Sequence, residues 1–130
     1  MSTDEITAGH LQELRRGTVV LACLIRLRTP DYGYALLESL NATGITVDAN
    51  TLYPLLRRLE KQALLTSEWN TEEARPRKFY RTSADGERLA AALTADWHLI
   101  DEALTRLTEP GADSPDSATD NDDSSKGDAS

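Results

Sequence analysis

Asp48-Ala-Asn-Thr-Leu-Tyr-Pro-Leu-Leu-Arg-Arg-Leu-Glu-Lys61 is the stretch of sequence that decides the fold. Its leucines recur at three- and four-residue spacing, which places them in one apolar stripe on a helix; they are Leu52, Leu55, Leu56 and Leu59. The other faces carry side chains that can donate hydrogen bonds to phosphates and base edges: Asn50, Thr51, Tyr53, Arg57, Arg58 and Lys61. The pattern fits a helix that reads a DNA major groove, and it fits equally an amphipathic surface helix with solvated charges.

The segments on either side favour the DNA-reading interpretation. Residues 32–40 have the pattern of another short helix, and Gly44 can take the positive φ that a helix exit often needs. After the basic helix, residues 64–69 and 79–82 suit two strands joined by a polar hairpin tip at 70–78. A helix-turn-helix followed by a basic hairpin is the order of elements in a winged helix.

The predicted DNA contacts come from the second helix, the basic helix and the wing. Of Tyr32 and Tyr34, one is expected to pack in the core and the other to donate to a phosphate, with Tyr34 preferred over Tyr32 as the donor. The first turns of the basic helix should meet base edges. Tyr53 could instead pack against the wing, and either Asp48 or Asn50 can cap the basic helix. The predicted DNA-binding residues are Tyr34, Asn50, Thr51, Tyr53, Pro54, Arg57, Arg58, Arg75, Arg77 and Lys78. Strand alternation puts Trp69 on the face of Leu65, so we expect it to pack in the core or in an interface.

Five motifs follow one another along the chain: Leu14-Arg-Arg-Gly-Thr18, Tyr32-Gly-Tyr34, Thr51-Leu-Tyr-Pro-Leu-Leu-Arg-Arg-Leu-Glu-Lys61, Arg75-Pro-Arg-Lys-Phe-Tyr80 and Ser83-Ala-Asp-Gly86. Together they resemble the PadR family of bacterial transcriptional regulators, over roughly residues 11–108. The resemblance implies a winged-helix repressor that dimerises through a long C-terminal helix and often senses a small aromatic or drug-like ligand. Ala63 and Ala74 stand where the family usually has glycine. We therefore expect the basic helix to end without a left-handed residue at Ala63.

A long C-terminal helix is predicted from Ser83, a suitable cap, to about Thr108. Its apolar positions lie close to a heptad seam: Leu89, Leu93, Trp97, Ile100, Leu104 and Leu107. A helix of about 24 residues is about 36 Å long, too long for a domain this small to cover, so we expect the stripe to pair with a second copy. The alternative is a core helix of a monomer. Trp97 could stack on a flat ligand, as the resemblance implies, or simply pack in the seam.

The predicted fold class is mainly α, a winged helix-turn-helix with a long C-terminal dimerisation helix. The predicted parts are a flexible N-terminus at 1–6, a winged-helix domain at 7–83, the dimerisation helix at 84–108 and a disordered acidic tail at 109–130. One helix is expected from Thr7 to Leu27, with Gly17 allowing close packing. The tail holds only small and polar residues, which cannot bury enough apolar surface to order it.

The charge distribution is compatible with DNA binding although the formal net charge is −8. Residues 109–130 account for −6 of it, whereas residues 57–81 hold seven bases and four acids. This basic region of an acidic chain is where DNA is expected to dock.

Other classes of protein find little support in the sequence. His10, His98 and Cys23 are scattered without the spacing of a metal site, and no phosphate-binding glycine loop occurs, so neither an enzyme nor a cofactor is expected. Cys23 lies in an apolar run and should be a buried structural thiol. No run is long enough to span a membrane and no signal peptide is evident, so a cytoplasmic location is expected. The prediction is a homodimeric repressor on a palindromic operator, and the alternative is a winged-helix module that binds protein.

Overall fold

The computed structural model describes residues 1–109, which form five helices and three strands. In chain order these are α1 Thr3–Arg15, α2 Thr18–Arg26, β1 Asp31–Tyr32, α3 Gly33–Thr43, α4 Ala49–Lys61, β2 Leu65–Asn70, β3 Arg77–Thr82 and α5 Ala84–Thr108. The strands form one antiparallel sheet in the order β1-β3-β2. The predicted fold class, mainly helical with a wing and a long C-terminal helix, is confirmed. The predicted acidic tail lies, from residue 110 onward, outside the described residues.

The chain divides into two compact units, residues 1–92 and the part from Leu93 onward, and α5 runs through the boundary. The core of the first unit consists largely of leucines from α2, α3, α4 and β2. The fully buried ones are Leu24, Leu27, Leu36, Leu52, Leu56, Leu59 and Leu65. Three of them, Leu52, Leu56 and Leu59, belong to α4, where the buried Leu55 completes the predicted stripe. Cys23 is also buried, and burial raises its thiol pKa to about 12, so the prediction of a structural thiol is confirmed.

The N-terminal region differs from the single predicted helix. The helix α1 begins at Thr3, and Ser2 and Glu5 form a capping box at its start. Residues 3–6 therefore belong to a capped helix and not to a frayed end. The chain breaks at Gly17 into α1 and α2. A Cβ on Gly17 would meet nothing within 4 Å, so the expectation of close packing there is wrong. No side chain of α1 is buried.

The strand β1 was not predicted, because Pro30 and Gly33 mark the segment only as a break between helices. Asp31 and Tyr32 pair with Tyr80 and Phe79 of β3. The guanidinium of Arg26 bonds the Asp31 carboxylate at 2.6 Å. These contacts fix the start of α3 against the sheet, which is where the helix-turn-helix meets the wing.

The last helix begins where the sheet ends. The Ser83 hydroxyl donates to the Ala63 carbonyl at 2.7 Å and accepts from the Gly86 N–H at 3.0 Å, so the predicted cap is confirmed. A Cβ on Gly86 would lie 2.2 Å from the Leu64 carbonyl oxygen. Glycine is therefore required for α5 to approach the turn between α4 and β2 so closely.

Both α3 and α4 are followed by a residue with left-handed backbone, glycine after α3 and alanine after α4. Gly44 takes φ +103° after α3, as predicted. Ala63 takes φ +63° after α4, so the expectation that this helix ends without a left-handed residue is wrong. The Leu64 N–H bonds the Leu59 carbonyl at 2.9 Å across the turn. The turn therefore keeps its hydrogen bond, while alanine bears the steric cost of about 1–2 kcal/mol that left-handed backbone imposes on residues with a Cβ.

Among residues 1–109, no helix combines the length and apolar character needed to cross a membrane.

We predict opposite effects of substitution at the two helix exits. Ala63→Gly should raise the free energy of unfolding by about 1 kcal/mol because it relieves left-handed strain. Gly44→Ala should lower it by about 1–2 kcal/mol through backbone strain, since a Cβ there meets nothing within 4 Å. Thermal unfolding at one fixed protein concentration measures both. Equal stabilities of wild type and Ala63→Gly would contradict the strain assigned to Ala63.

Candidate nucleic-acid interface

The exposed face of α4 carries the predicted reading residues in a narrow line. Successive residues on a helix are about 100° apart, so Asn50, Pro54, Arg57 and Lys61 fall within an arc of about 60°, and all four are exposed. Thr51 and Arg58, also exposed, lie along one edge of that line. The buried leucine stripe lies on the opposite side, so burying it turns this line outward. Lys61 lies on the same line although it was left out of the predicted DNA-binding set.

The start of α4 is capped by Asp48, not Asn50. Its carboxylate accepts the Thr51 N–H at 2.8 Å. Capping here leaves Asn50 free of a structural role and puts Pro54 six residues into the helix, which stays continuous to Lys61. Proline has no N–H for the Asn50 carbonyl. The exposed line therefore includes a backbone acceptor without its usual helical partner.

Tyr53 lies at the edge of α4 that faces α3 and is half-buried. A Cβ on Gly33 would lie 2.6 Å from Tyr53 Cε1, so the ring packs directly on the first residue of α3. Tyr53 therefore holds the two helices of the helix-turn-helix together, whatever its hydroxyl contacts.

The C-terminal half of α4 is tied to the wing by polar contacts centred on Glu60. Its carboxylate accepts a hydrogen bond from the Ser67 hydroxyl on β2 and pairs with Lys78 Nζ on β3 at 3.2 Å. The Ser67 hydrogen bond, followed by the contribution of Lys78, lowers the pKa of Glu60 against the opposing effect of burial. Beside this group, burial raises the pKa of Tyr80. Glu60, which sequence reasoning did not single out, links the reading helix to the wing.

The three cations predicted at the hairpin tip occupy different environments. Arg75 is exposed in the loop, whereas Arg77 and Lys78 already belong to β3. The Arg77 guanidinium lies 3.8 Å from the centroid of the Tyr32 ring and 3.6 Å from the Glu73 carboxylate. The half-buried Lys78 is paired with Glu60. Of the three, Arg75 is the most available to a phosphate.

Two aromatic side chains of this region remain in solvent. Tyr34 at the start of α3 is 60% exposed, while Tyr32 packs edge-to-face on Phe79 with ring centroids 6.0 Å apart. The exposure of Tyr34 agrees with its preference as the donor, whereas its contact to a phosphate stays a prediction. Trp69 on β2 is 63% exposed, so the expectation that it packs in the core is wrong.

In the second unit, the predicted seam of α5 presents a row of apolar side chains. Trp97, Ile100, Leu104 and Leu107 are between 49% and 80% exposed, and Leu93 is half-buried. Leu89, which belongs to the first unit, is half-buried as well. Leu99 is 60% exposed on a neighbouring face and was not predicted. The Trp97 and His98 rings meet edge-to-face at 5.2 Å.

Within residues 1–109 no group of three or more histidine, cysteine or acidic side chains is placed to hold a metal ion.

A helix-turn-helix whose second helix exposes polar and basic side chains, followed by a two-stranded wing, defines the winged-helix class of DNA-binding regulators. Comparison with known proteins agrees. The model of the PadR-like family of transcriptional regulators matches residues 20–92. A transcriptional regulator of Mycobacterium tuberculosis is 36% identical over 93 residues, which cover 71% of this chain and 84% of that protein.

Solved structures agree with the family match. A PadR family transcriptional regulator from Eggerthella lenta superposes with a TM-score of 0.78 at 48% identity, covering 82% of this chain and 96% of that one. A PadR-like transcription factor from Bacteroides fragilis gives a TM-score of 0.65 at 28% identity, covering 77% and 99%. The chain belongs to the PadR-like family of transcriptional regulators, whose members are generally not enzymes.

We predict that the Glu60 contacts make stability depend on pH. Because the folded-state pKa of Glu60 is lowered, its contribution is present above the ordinary carboxyl pKa and is lost as pH falls through the lowered value. Glu60→Gln should therefore cost about 0.5–1 kcal/mol at pH 7 and almost nothing near pH 2, as measured by chemical denaturation. Glu68→Gln, on the opposite face of β2, is the control and should change little at either pH. An equal loss from Glu60→Gln at both pH values would contradict this assignment.

Proposed function

We propose that the protein is a homodimeric repressor that binds a palindromic operator in double-stranded DNA through α4 and the wing. The observation that carries the proposal is the exposed line on α4, which has no structural role of its own. Four buried leucines hold the helix from behind, while the residues in front are exposed donors and cations. A surface helix with merely solvated charges would need neither the outward line nor a neighbouring basic wing.

Each predicted DNA-binding residue has a proposed role that follows from its position. Asn50 and Thr51, in the first turn, read base edges, and Pro54 lets the helix lie close to the groove floor. Arg57 and Arg58 diverge by about 100°, so one faces the groove and the other a phosphate. In the wing, the exposed Arg75 is the main phosphate contact.

The remaining residues contribute through contacts that they already make. Tyr53 supports the interface by fixing α4 on α3, and its hydroxyl can donate at the edge of the groove. Tyr34 is exposed at the start of α3 and donates to the DNA backbone. Arg77 and Lys78 add positive potential, with Lys78 released to a phosphate only at the cost of its pairing with Glu60.

Dimerisation is supported by apolar surface that the single chain leaves uncovered. In the second unit, Trp97, Ile100, Leu104 and Leu107 are exposed along the predicted seam. In the first unit, α1 buries no side chain and exposes Ile6, Leu11 and Leu14. A second copy would cover such surface and place two reading helices about 34 Å apart, the spacing of palindromic half-sites. In this proposal a small aromatic ligand that stacks on Trp97 releases the repressor.

We predict that Asn50→Ala and Arg75→Ala weaken DNA binding in different ways. Asn50→Ala should lower affinity for the operator about tenfold and relax base preference, because a pair of base-edge hydrogen bonds is worth about 1–3 kcal/mol. Arg75→Ala should weaken operator and random DNA alike and reduce the salt slope by about 1. Gel-shift titrations at two salt concentrations, with DNA upstream of the protein's own gene, measure both.

The control for these titrations is Arg88→Ala, since Arg88 is an exposed arginine on α5 paired with Asp85 outside the proposed interface. Its affinity should match that of the wild type. Unchanged binding by both interface variants would show that the docking surface is misplaced. The absence of a salt-weakened shift with any duplex would instead favour the alternative function, a winged-helix module that binds protein.

We predict that Ile100→Asp with Leu104→Asp produces a monomer. Both side chains are about half exposed in the single chain, so the charges should spare its fold while preventing the seam from closing. Ala95→Asp is the matched control, because it adds the same charge on the opposite side of the helix. Sedimentation velocity should show a monomer for the double variant and a dimer for the control. A double variant that remains dimeric would refute the seam assignment.

A further inference from the structure

The indole of Trp69 is the largest apolar side chain that the wing leaves in water. It is 63% exposed on β2. Along the same face of this strand, Leu65 is fully buried and Ser67 bonds Glu60 of α4. The strand thus runs from the core out to an exposed tryptophan. Since residues of this type are usually well buried, the position calls for a partner outside the single chain.

The strand around Trp69 is held firmly on both faces. Its cross-strand neighbour Lys78 pairs with Glu60 on the side of α4. On the other face, the amide of Asn70 donates to the Tyr32 hydroxyl at 2.8 Å. The backbone of Trp69 is therefore fixed relative to α4, while its indole is exposed to solvent. A rigidly presented aromatic group loses little conformational entropy when it binds.

The surroundings of Trp69 specify a duplex nucleic acid as the partner. It shares a sheet face with the residues that contact α4, and the hairpin that follows carries the exposed Arg75 and Arg77. An indole offers a flat apolar surface to a deoxyribose and one N–H donor to a phosphate oxygen, and it has no acceptor that a phosphate would repel. Contacts of this kind to sugar and phosphate position a protein on DNA without reading its sequence.

We propose that Trp69 is a DNA-contact residue of the wing, which packs its indole on the sugar–phosphate backbone beside the groove that α4 occupies and donates its Nε1–H to a phosphate. The proposal rests on the proposed DNA-binding function and adds to it a contact that the basic residues do not supply. Because the contact is to the backbone, it strengthens binding to every duplex and leaves base preference to α4.

The two tryptophans of the chain allow a direct test. In the full-length Trp97→Phe variant, Trp69 is the only tryptophan, so its fluorescence reports on the wing. A labelled duplex of about 30 base pairs, long enough for two half-sites, is titrated at low salt while its anisotropy records binding. Acrylamide quenching of Trp69 should then fall at least twofold and its emission shift to the blue, because the indole leaves water.

Substitution in the same Trp97→Phe background supplies a second readout. Trp69→Ala should weaken binding about tenfold, equivalent to about 1.4 kcal/mol, for operator and random duplex alike. Trp69→Phe should lose less, because it keeps a flat ring and lacks only the N–H donor. Thr66→Ala, on the opposite face of β2, is the matched control and should bind like its parent. Circular dichroism checks the fold of each variant. If Trp69→Ala misfolds, the quenching experiment tests the proposed contact by itself.

The outcomes separate this proposal from the function on which it rests. If the duplex binds while acrylamide still reaches Trp69 equally well, the Trp69 contact is refuted and DNA binding stands. If Trp69 becomes protected on raising protein concentration without DNA, its partner is a second copy and the proposal is equally refuted. If no duplex of any sequence binds the wild-type protein at low salt, both fail together; wild-type binding that Trp97→Phe loses moves the Trp69→Ala comparison to the wild-type background.

Discussion

Burial of the α4 leucines is the interaction on which the rest of this structure depends. Leu52, Leu56 and Leu59 are at most 1% exposed and Leu55 is 8% exposed. Each such burial stabilises by about 1.5–3 kcal/mol, so the helix cannot rotate without exposing part of the core. This single orientation turns Asn50 and Arg57 outward. The surface proposed to read DNA is thus set by what the helix hides.

Polar and aromatic contacts add to the leucines in fixing the position of α4 relative to the wing and α3. Glu60 connects α4 to both strands of the wing through Ser67 and Lys78, and Tyr53 packs on the first residue of α3. These groups are partly exposed, so each contributes modestly to stability. Their effect is geometric, because they hold α4 and the wing at one angle to each other. Docking on two half-sites of DNA would require that angle to be constant.

Some features carry a local cost that packing elsewhere offsets. Ala63 holds left-handed backbone, and Pro54 interrupts the hydrogen bonding of α4. Trp69 and the C-terminal seam leave large apolar groups in water. Pro54 lies within α4 and Ala63 just beyond its end, whereas the exposed apolar groups lie on surfaces that a single chain leaves uncovered.

The sequence by itself determined the helix-turn-helix, the wing, the capped C-terminal helix and the buried side of α4, because leucine spacing and turn residues act over a few neighbours. It also predicted that one of Tyr32 and Tyr34 packs and the other is available to a phosphate, and the packing on Phe79 then identified Tyr32 as the packed one. Tertiary structure alone decided that β1 joins the sheet and that Ala63 is left-handed. It also decided that Lys78 faces Glu60 and that Trp69 stays exposed. The pairing of β1 with β3, the Lys78–Glu60 ion pair and the Ser83 hydrogen bond to the Ala63 carbonyl all join residues far apart in the chain, and such contacts leave no periodic trace in the sequence.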